Sequence, residues 1–408
     1  MQMHQAPVAA QTCRCDMLDA AALQRLDPAQ WHRLSADALD PNPFYARAYV
    51  LAGLACLDED AGLRALAIRT EAEGRLVGLF LYHRRAFRTA RGALNRYQMS
   101  GVPLLDRADA PAAVDAWFAA MARGAAPAQW QLPHLDLESG FARLCRARLE
   151  RHGMHLEPLA GYDRPRLTRN TGGFAAHVQT VLDRKRHKEL QRSLRRLREQ
   201  GELRFERVTD AGMLDQRLED FLAIEHAGWK GRAGTSFLSD PSHARFLREA
   251  VLGNPAASID GLLLDGQPIA LSLNLSASGT LFTPKCAYDE AFRRYSPGLL
   301  LEYLVIEAFY ADDAIAQMDA ATTVGGHLVG TFWNAQRPMA SVLIGRRGWQ
   351  TSLLASFARA RLAGRAGARQ MLGQPGLALA RQVRRAAPDL LRRLAQFGQS
   401  IGCLLLAV

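Results

Sequence analysis

Residues 280–310 read TLFTPKCAYDEAFRRYSPGLLLEYLVIEAFY: a strand, a tight arginine-bearing turn and an apolar helix. The strand is Thr280–Tyr288, rich in the β-branched and aromatic residues that suit a pleated surface. The helix starts at Ser296, which is expected to cap it. Pro297 follows at the first helical position, where its fixed φ and missing N–H cost nothing. Gly298 leaves the first turn without a side chain, so a ligand can approach the free backbone N–H groups. Arg293 and Arg294 stand just upstream. A helix N-terminus flanked by guanidinium groups suits an anion, and the stretch points to a phosphate-bearing ligand. The bland alternative is an ordinary strand–turn–helix with a Pro-Gly start.

Outward from this stretch, the chain reads as two mixed α/β parts of similar order. Upstream of it, a helix at 185–199 precedes the strand LRFERV, helices at 211–228 and 241–252, and the hairpin SIDGLLLDGQPIALSLNLSAS. The earlier part has two short helices around Asp40–Pro43 and a hairpin through Glu73-Gly74. A short strand at Val102–Leu105 and the strand QWQLPHLDL follow, with helices at 111–123 and 139–152. The hairpins turning at Gly74 and Gly266 match in style. We expect an α/β (α+β) fold: a flexible leader at 1–25, mixed-sheet halves at 26–160 and 161–350, and a basic amphipathic helical tail at 351–408. The Pro-, Gly- and Asn-rich run 161–173 reads as the linker between halves.

Bulk properties bound the function. A chain of 408 residues, 49% apolar, can bury a substantial core. Its formal charge of +11 is concentrated in the tail, where nine Arg face one Asp. Such a tail suits peripheral contact with an anionic membrane surface or with a protein. Aromatic residues hardly interleave with its arginines, which disfavours nucleic acid, and no DNA partner is expected. The six cysteines lack paired spacing for zinc, so reduced thiols and no metal are expected. No run of 18 apolar residues suggests a membrane span, and the N-terminus lacks a signal-peptide pattern. A cytoplasmic protein, with or without a peripheral hold on the inner membrane face, is expected. Lysine occurs only at Lys185, Lys188, Lys230 and Lys285, which makes each of them stand out.

Three further segments bear chemistry. The helix at 184–198 is cationic on most faces, with a narrow edge of Leu190, Leu194 and Leu197. Solvation is the usual account of such a face, but so many uncompensated charges favour an anionic neighbour, with Lys185 and Arg195 as candidate contacts. In the helix at 211–228, Leu218, Phe221, Leu222 and Glu225 share one stripe, so Glu225 faces the core. Desolvation there is expected to raise its pKa toward general-base values, unless it merely pairs with a buried Arg or caps a loop. His226 is the neighbouring base candidate, and Trp229 and Lys230 follow in a glycine-rich loop. Asp319 ends a short strand near 314–318, where ligands lie in open α/β sheets; a cap or turn role is the alternative. His327 and Trp333 fall in a loop placed to close over an acceptor. No Ser-His-Asp or Cys-His spacing suggests a covalent acyl-enzyme.

These residues carry a family resemblance. Arg293-x-x-Ser296-x-Gly298 is similar to the pyrophosphate loop of GNAT-type acyltransferases, written Q/R-x-x-G-x-G/A, with serine at the first glycine. Tyr288-Asp289-Glu290, Tyr295-Ser296-Pro297-Gly298 and Glu225-His226-x-x-Trp229-Lys230-Gly231 resemble the CelD/BcsL-type group of that superfamily. That group is related to the FemABX aminoacyl transferases, with two GNAT-like halves in one chain. The resemblance covers about residues 30–350 and is most specific over 184–333. It implies an acyl-CoA-dependent N-acyltransferase, with acetyl-CoA or another acyl-CoA as donor. The pantetheine arm would lie beside strand 280–288. The pyrophosphate would sit on Ser296 to Leu299, with Tyr288, Arg293 and Arg294 around it, and an acceptor amine would attack the thioester directly. The group's link to exopolysaccharide production implies an amino-sugar acceptor. Two rival readings remain: a FemABX-like transferase using charged tRNA, suited to the basic 184–198 helix, and a non-catalytic protein recruiting a polysaccharide synthase to a membrane.

Overall fold

Thirteen strands form one mixed sheet. The computed structural model describes residues 12–86, 88–322 and 328–364. The chain divides into two units, Met1–Ser356 and Phe357–Val408. In the second unit residues 357–364 are helical. The remainder of the basic tail, and with it the membrane or protein contact expected there, lies outside the described residues.

The first described elements are β1 (Cys13–Leu18) and α1 (Ala20–Gln24), so residues 13–24 of the stretch read as a flexible leader are ordered structure, while residues 1–11 lie outside the described residues. The physical reason is pairing: β1 runs antiparallel along β2 (Arg64–Thr70), from Cys13 opposite Thr70 to Leu18 opposite Ala65. Between them lie α2 (Pro28–Ala36) and α3 (Arg47–Cys56). Next come β3 (Leu76–Arg85), β4 (Thr89–Gly92), β5 (Leu104–Leu105), α4 (Ala110–Arg123), β6 (Gln129–Asp136), α5 (Gly140–Arg148) and β7 (Met154–Thr168). α6 (Gly173–Val181) and α7 (Arg184–Arg198) lead to β8 (Leu203–Val208), α8 (Ala211–Ala227), α9 (Trp229–Arg232) and α10 (Pro241–Leu252). The order then closes with β9 (Ala257–Leu264), β10 (Gln267–Ala277), β11 (Thr280–Tyr288), α11 (Pro297–Ala311), β12 (Gln317–Asp319) and β13 (Ala335–Arg346).

Across the sheet the order is β1-β2-β3-β4-β6-β13-β7-β12-β11-β10-β9-β8, with β5 beside β3. The order is a repeat: four antiparallel strands, a helical crossover, and a strand parallel to the fourth. β4 meets β6 in parallel at Thr89–Arg91, and β11 meets β12 in parallel at Thr280–Phe282. The final strand of each half crosses over. β7 pairs with β12 of the later half, and β13 pairs with β6 of the earlier one. β7 also pairs with β13 along its length, from Met154 opposite Arg346 to Arg166 opposite Ala335. The run from 161 read as a linker therefore begins inside a central strand, and a division at 160/161 cuts β7 in two. Exchanged terminal strands, in place of a linker, join the halves.

Packing follows from the side chains. One face of the earlier half buries Phe80, Trp117, Phe118, Trp130 and Phe141 under α4 and α5. In the later half, α6, α7 and α11 cover one face through Leu190, Leu194, Leu197, Leu300, Leu301, Val305 and Phe309. Burying each such leucine contributes about 1.5–3 kcal/mol. Phe44 and Tyr49 of the earlier half pack with Phe246 and Phe282 of the later one on the opposite face. Arg169 closes the C-terminus of α11 by donating to the carbonyls of Phe309 at 2.7 Å and Tyr310 at 3.3 Å.

Candidate active site

The decisive geometry is a fork in the sheet. β11 and β12 pair over only three residues, and β11 then continues through Thr283–Tyr288 with β10 as its one strand neighbour. The fork is built by an Asx turn: Asp319 Oδ1 accepts from Ala321 N–H at 2.7 Å, and Ala321 takes φ 44. Arg164 Nε holds the next carbonyl, Thr322 O, at 3.0 Å. The chain after β12 is thereby drawn along β7, and the outer edge of β11 is left without a strand partner among the described residues.

At the carboxyl end of β11, Asp289 starts a 3₁₀ turn over Glu290–Tyr295 by accepting from Ala291 N–H at 2.9 Å. α11 follows with Pro297 at its first position, as expected. Ser296 departs from expectation. It sits in the left-handed region at φ 54, and its side chain caps nothing. Its carbonyl accepts from Leu299 and Leu300 N–H at 2.9 and 3.1 Å, and its own N–H donates to Arg293 O at 3.1 Å. Among Ser296 to Leu299 these bonds and the proline leave Gly298 N–H as the amide not engaged in the turn. An added Cβ on Gly298 would lie 3.5 Å from Tyr288 Cδ1 and 4.0 Å from Cys286 Sγ, so this glycine lines the groove beside β11. Tyr288 and Leu299 are half-buried there, and Arg293 and Arg294 are exposed. Arg294 stacks over Tyr295, 4.7 Å from the ring centre.

One turn beyond Gly298, on the same face of α11, lies Glu302, which the sequence reading missed. Trp333 Nε1 donates to its Oε1 at 2.6 Å. Burial pushes its carboxyl pKa up to about 7, against an ordinary 4.5, and its charge is felt at Cys286. The i, i+4 spacing from the glycine of the turn was the signal available. Trp333 itself is 5% exposed in the core under α11. It is thus a packing residue and not part of a lid, because its indole N–H finds its acceptor inside. His327 lies outside the described residues.

α7 packs its leucine edge against α11, and Gln191 and Gln200 donate to Tyr303 and Tyr295 hydroxyls at 3.0 and 2.6 Å. Its charged faces turn outward. Lys185 is exposed, and Arg195 is exposed beside Glu199 at 3.7 Å. Neither reaches the groove, though Arg196 of the same helix meets Arg294 around a surface hollow.

At the end of α8, Glu225 is buried, with Oε1 accepting from Lys230 Nζ at 2.8 Å and Oε2 from Phe237 N–H at 2.9 Å. The bond to Phe237 N–H is the loop-capping role left open as the alternative to a base, while the cation beside it is the half-buried Lys230 and not a buried arginine; together they tie residues 228–237 to α8. His226 is exposed, with Nδ1 2.9 Å from Ser236 Oγ. Trp229 is 53% exposed, and its N–H donates to Glu290 Oε1 at 2.7 Å. Glu225, Trp229, Lys230, Cys286 and Tyr288 line one small cleft. Lys285, on β11, lies beside the stacked rings of Tyr97 and Phe237, and desolvation with help from Lys230 lowers its pKa to about 8. Two of the four lysines of the sequence thus meet around Glu225.

Asp319 is 1% exposed and lies between Arg337 Nη1 at 3.0 Å and Arg164 Nη1 at 3.5 Å. With its bond to Ala321 N–H it plays the turn role weighed against catalysis. It borders a cavity of about 270 Å³ between the halves. Among the described residues no group of three or more His, Cys, Asp or Glu could hold a metal, and no helix is long and apolar enough to cross a membrane.

Residues 184–327, from α7 past β12, match the family model described as acetyltransferase (GNAT) domain. The fork, the following helix and the basic α7 all fall within that span. No curated protein sequence matches the chain. Among solved structures it is similar to the C-terminal domain of a putative lysylphosphatidylglycerol synthetase from Agrobacterium fabrum. Identity is 14% over 83% of this chain and 97% of that one, at a TM-score of 0.52. It is also similar to FemX, at 11% identity over 78% and 96% of the two chains and a TM-score of 0.53. Identities this low speak to the fold alone. The chain contains a GNAT acetyltransferase-like domain.

Proposed function

We propose that the protein is an acyl-CoA-dependent N-acyltransferase whose donor lies along the open edge of β11. The observation that carries this reading is the fork: an unpaired strand edge inside a sheet, leading to a glycine at a helix N-terminus. Unpaired edge amides and carbonyls suit the amide groups of a pantetheine arm. Gly298 N–H, the helix dipole, Arg293 and Arg294 suit its diphosphate. A neutral amine would attack the thioester carbonyl; the C–N bond forms as the C–S bond breaks, and the thiolate leaves. Glu302, with a pKa near 7, is placed to take the proton from nitrogen. Glu225 and Asp319 act as positioning residues, one holding the 228–237 loop and the other the fork. The resemblance to the CelD/BcsL-type group directs the first acceptor tests to amino sugars of exopolysaccharide production.

Calorimetry with acetyl-CoA tests the donor site on the wild type and on Gly298→Glu, whose side chain would enter the groove with negative charge. The variant should keep its Tm and lose about hundredfold in affinity, near 3 kcal/mol. Equal binding by both proteins overturns the assignment. The exposed cationic face of α7 favours a second reading, an aminoacyl-tRNA donor. RNA binding that weakens steeply with salt, without acetyl-CoA binding, would select it.

A further inference from the structure

The cavity between the halves has no part in holding the donor, yet its lining is unusual. Arg164 and Arg166 are two residues apart on β7 and so share a face. Arg337 stands opposite Arg164 on β13. The terminal nitrogens of two of the three guanidinium groups are engaged, although Arg337 Nε is buried without a hydrogen-bond partner. Arg164 donates to Met99 O at 2.6 Å, the Tyr162 hydroxyl at 2.8 Å and Thr322 O, and Arg337 to Asp319 and to Gln317 Oε1 at 3.1 Å. Arg166 lies opposite Asp319 in register, yet it makes no ion pair or side-chain hydrogen bond to any described residue, and its Nε is buried without a partner.

The same cavity holds a carboxylate with too little compensation. Asp136 accepts from Glu138 N–H at 2.8 Å and lies 3.3 Å from Arg337 Nε, close enough for an ion pair but without hydrogen-bond geometry. Burial still raises its pKa despite that neighbour. A half-satisfied polar cluster costs more than an apolar filling of the same space. A cation without a partner among the described residues and an under-compensated anion facing one half-open cavity suit a ligand that carries both charges. Phe282 and Asp319 also line the cavity, so it borders the fork, where the acyl end of the donor would arrive.

We propose that this cavity is the acceptor site, and that the acceptor is an amine that also bears a carboxylate, held through Arg166. The proposal rests on the N-acyltransferase reading for the word acceptor, but the binding site stands on its own geometry. Two sources share this chemistry, free amino acids and amino-sugar acids.

The test pairs each probe with its carboxylate-free counterpart: the twenty L-amino acids with available decarboxylated amines such as ethanolamine for serine, and glucosaminuronic acid with glucosamine. Thermal shift reads binding, and thiol release from acetyl-CoA reads turnover. At least one carboxylate-bearing probe should raise Tm and be used about tenfold better than its counterpart, 1.4 kcal/mol. Which arm responds identifies the source. Arg166→Met should raise KM for that probe at least tenfold, Arg166→Lys should recover part of the loss, and acetyl-CoA affinity should stay within twofold. Counterparts serving equally well, a KM unmoved by Arg166→Met, or no Tm shift from any probe would overturn the proposal. If acetyl-CoA fails to bind while an Arg166-dependent Tm shift persists, the site survives and the acyltransferase reading falls.

Discussion

The two halves repeat one strand order but treat its fork in opposite ways. In the later half, the link between β11 and α11 is the short turn 289–296, and among the described residues no strand covers the edge of β11 beyond Phe282. In the earlier half, β4 and β6 also pair over three residues, but the link to α4 spans 93–109 and folds back. Gly101 N–H donates to His134 O at 3.2 Å, and Asn42 Nδ2 reaches Val102 O at 2.6 Å. Asn95, Gln98, Ser100 and Val102 are buried. Phe80, Trp117 and Trp130 pack against one another under α4 in that half, whereas Gly298 faces Tyr288 and Cys286 in the later one. A duplicated topology thus yields one open groove, because a longer connection plugs its twin. The plug is then used again, since Ser100 and Val102 wall the cavity at the fork of the other half.

The largest expected effect tests the plug. A Cβ at Gly101 would stand 1.8 Å from Pro133 O, a clash no rotamer relieves. Gly101→Ala should therefore cost on the order of 3 kcal/mol in denaturant unfolding. Gly298→Ala, whose Cβ meets only ordinary contacts, should leave stability within about 0.5 kcal/mol. Equal costs would mean that both forks are packed alike.

Glu302→Gln comes next. Turnover should fall about hundredfold, and the rising limb of the pH profile near 7 should disappear. Its stability effect has a definite sign. A carboxyl whose folded pKa of about 7 exceeds its ordinary 4.5 favours folding below the lower value, and that advantage is lost as pH rises through the upper one. The variant should thus gain about 3 kcal/mol over the wild type at pH 8 and nothing at pH 4. A pH-independent difference would place the carboxyl in water. The smallest effect is that of Arg293→Ala. As an exposed cation, Arg293 should contribute about 1 kcal/mol, or fivefold, to acetyl-CoA affinity, and lose it in high salt.

Much of the later half was legible in its residues. β11, α11 with Pro297 first, α7 with its leucine edge and α10 follow from alternation, capping and period. The strands that escaped notice, β7 and β13, are the central ones. They carry Pro158, Pro165 and Pro338, and their inward positions include Arg164, Arg166 and Arg337, so polarity hid the pattern. The same arginines line the cavity, which explains why the junction and the proposed acceptor site went unseen together. β1 escaped because it is short and polar, and only its partner β2 makes it a strand. Ser296 misled because a serine before Pro297 is a good cap by type, and only the 3₁₀ turn upstream forces it into the left-handed region. Glu225 read as a desolvated base until Lys230 and Phe237 N–H, distant in consequence though near in sequence, were seen to satisfy it.

The central claim is that the open edge of β11 receives the donor. Hydrogen–deuterium exchange at the amides of Thr283 and of residues 285–288, with and without saturating acetyl-CoA, tests it most directly. The account predicts that these amides and that of Gly298 exchange more slowly when acetyl-CoA is bound, while residues 93–102 of the plugged fork do not change. Bound acetyl-CoA that leaves those amides of β11 unprotected, or that protects 93–102 in their place, would contradict it.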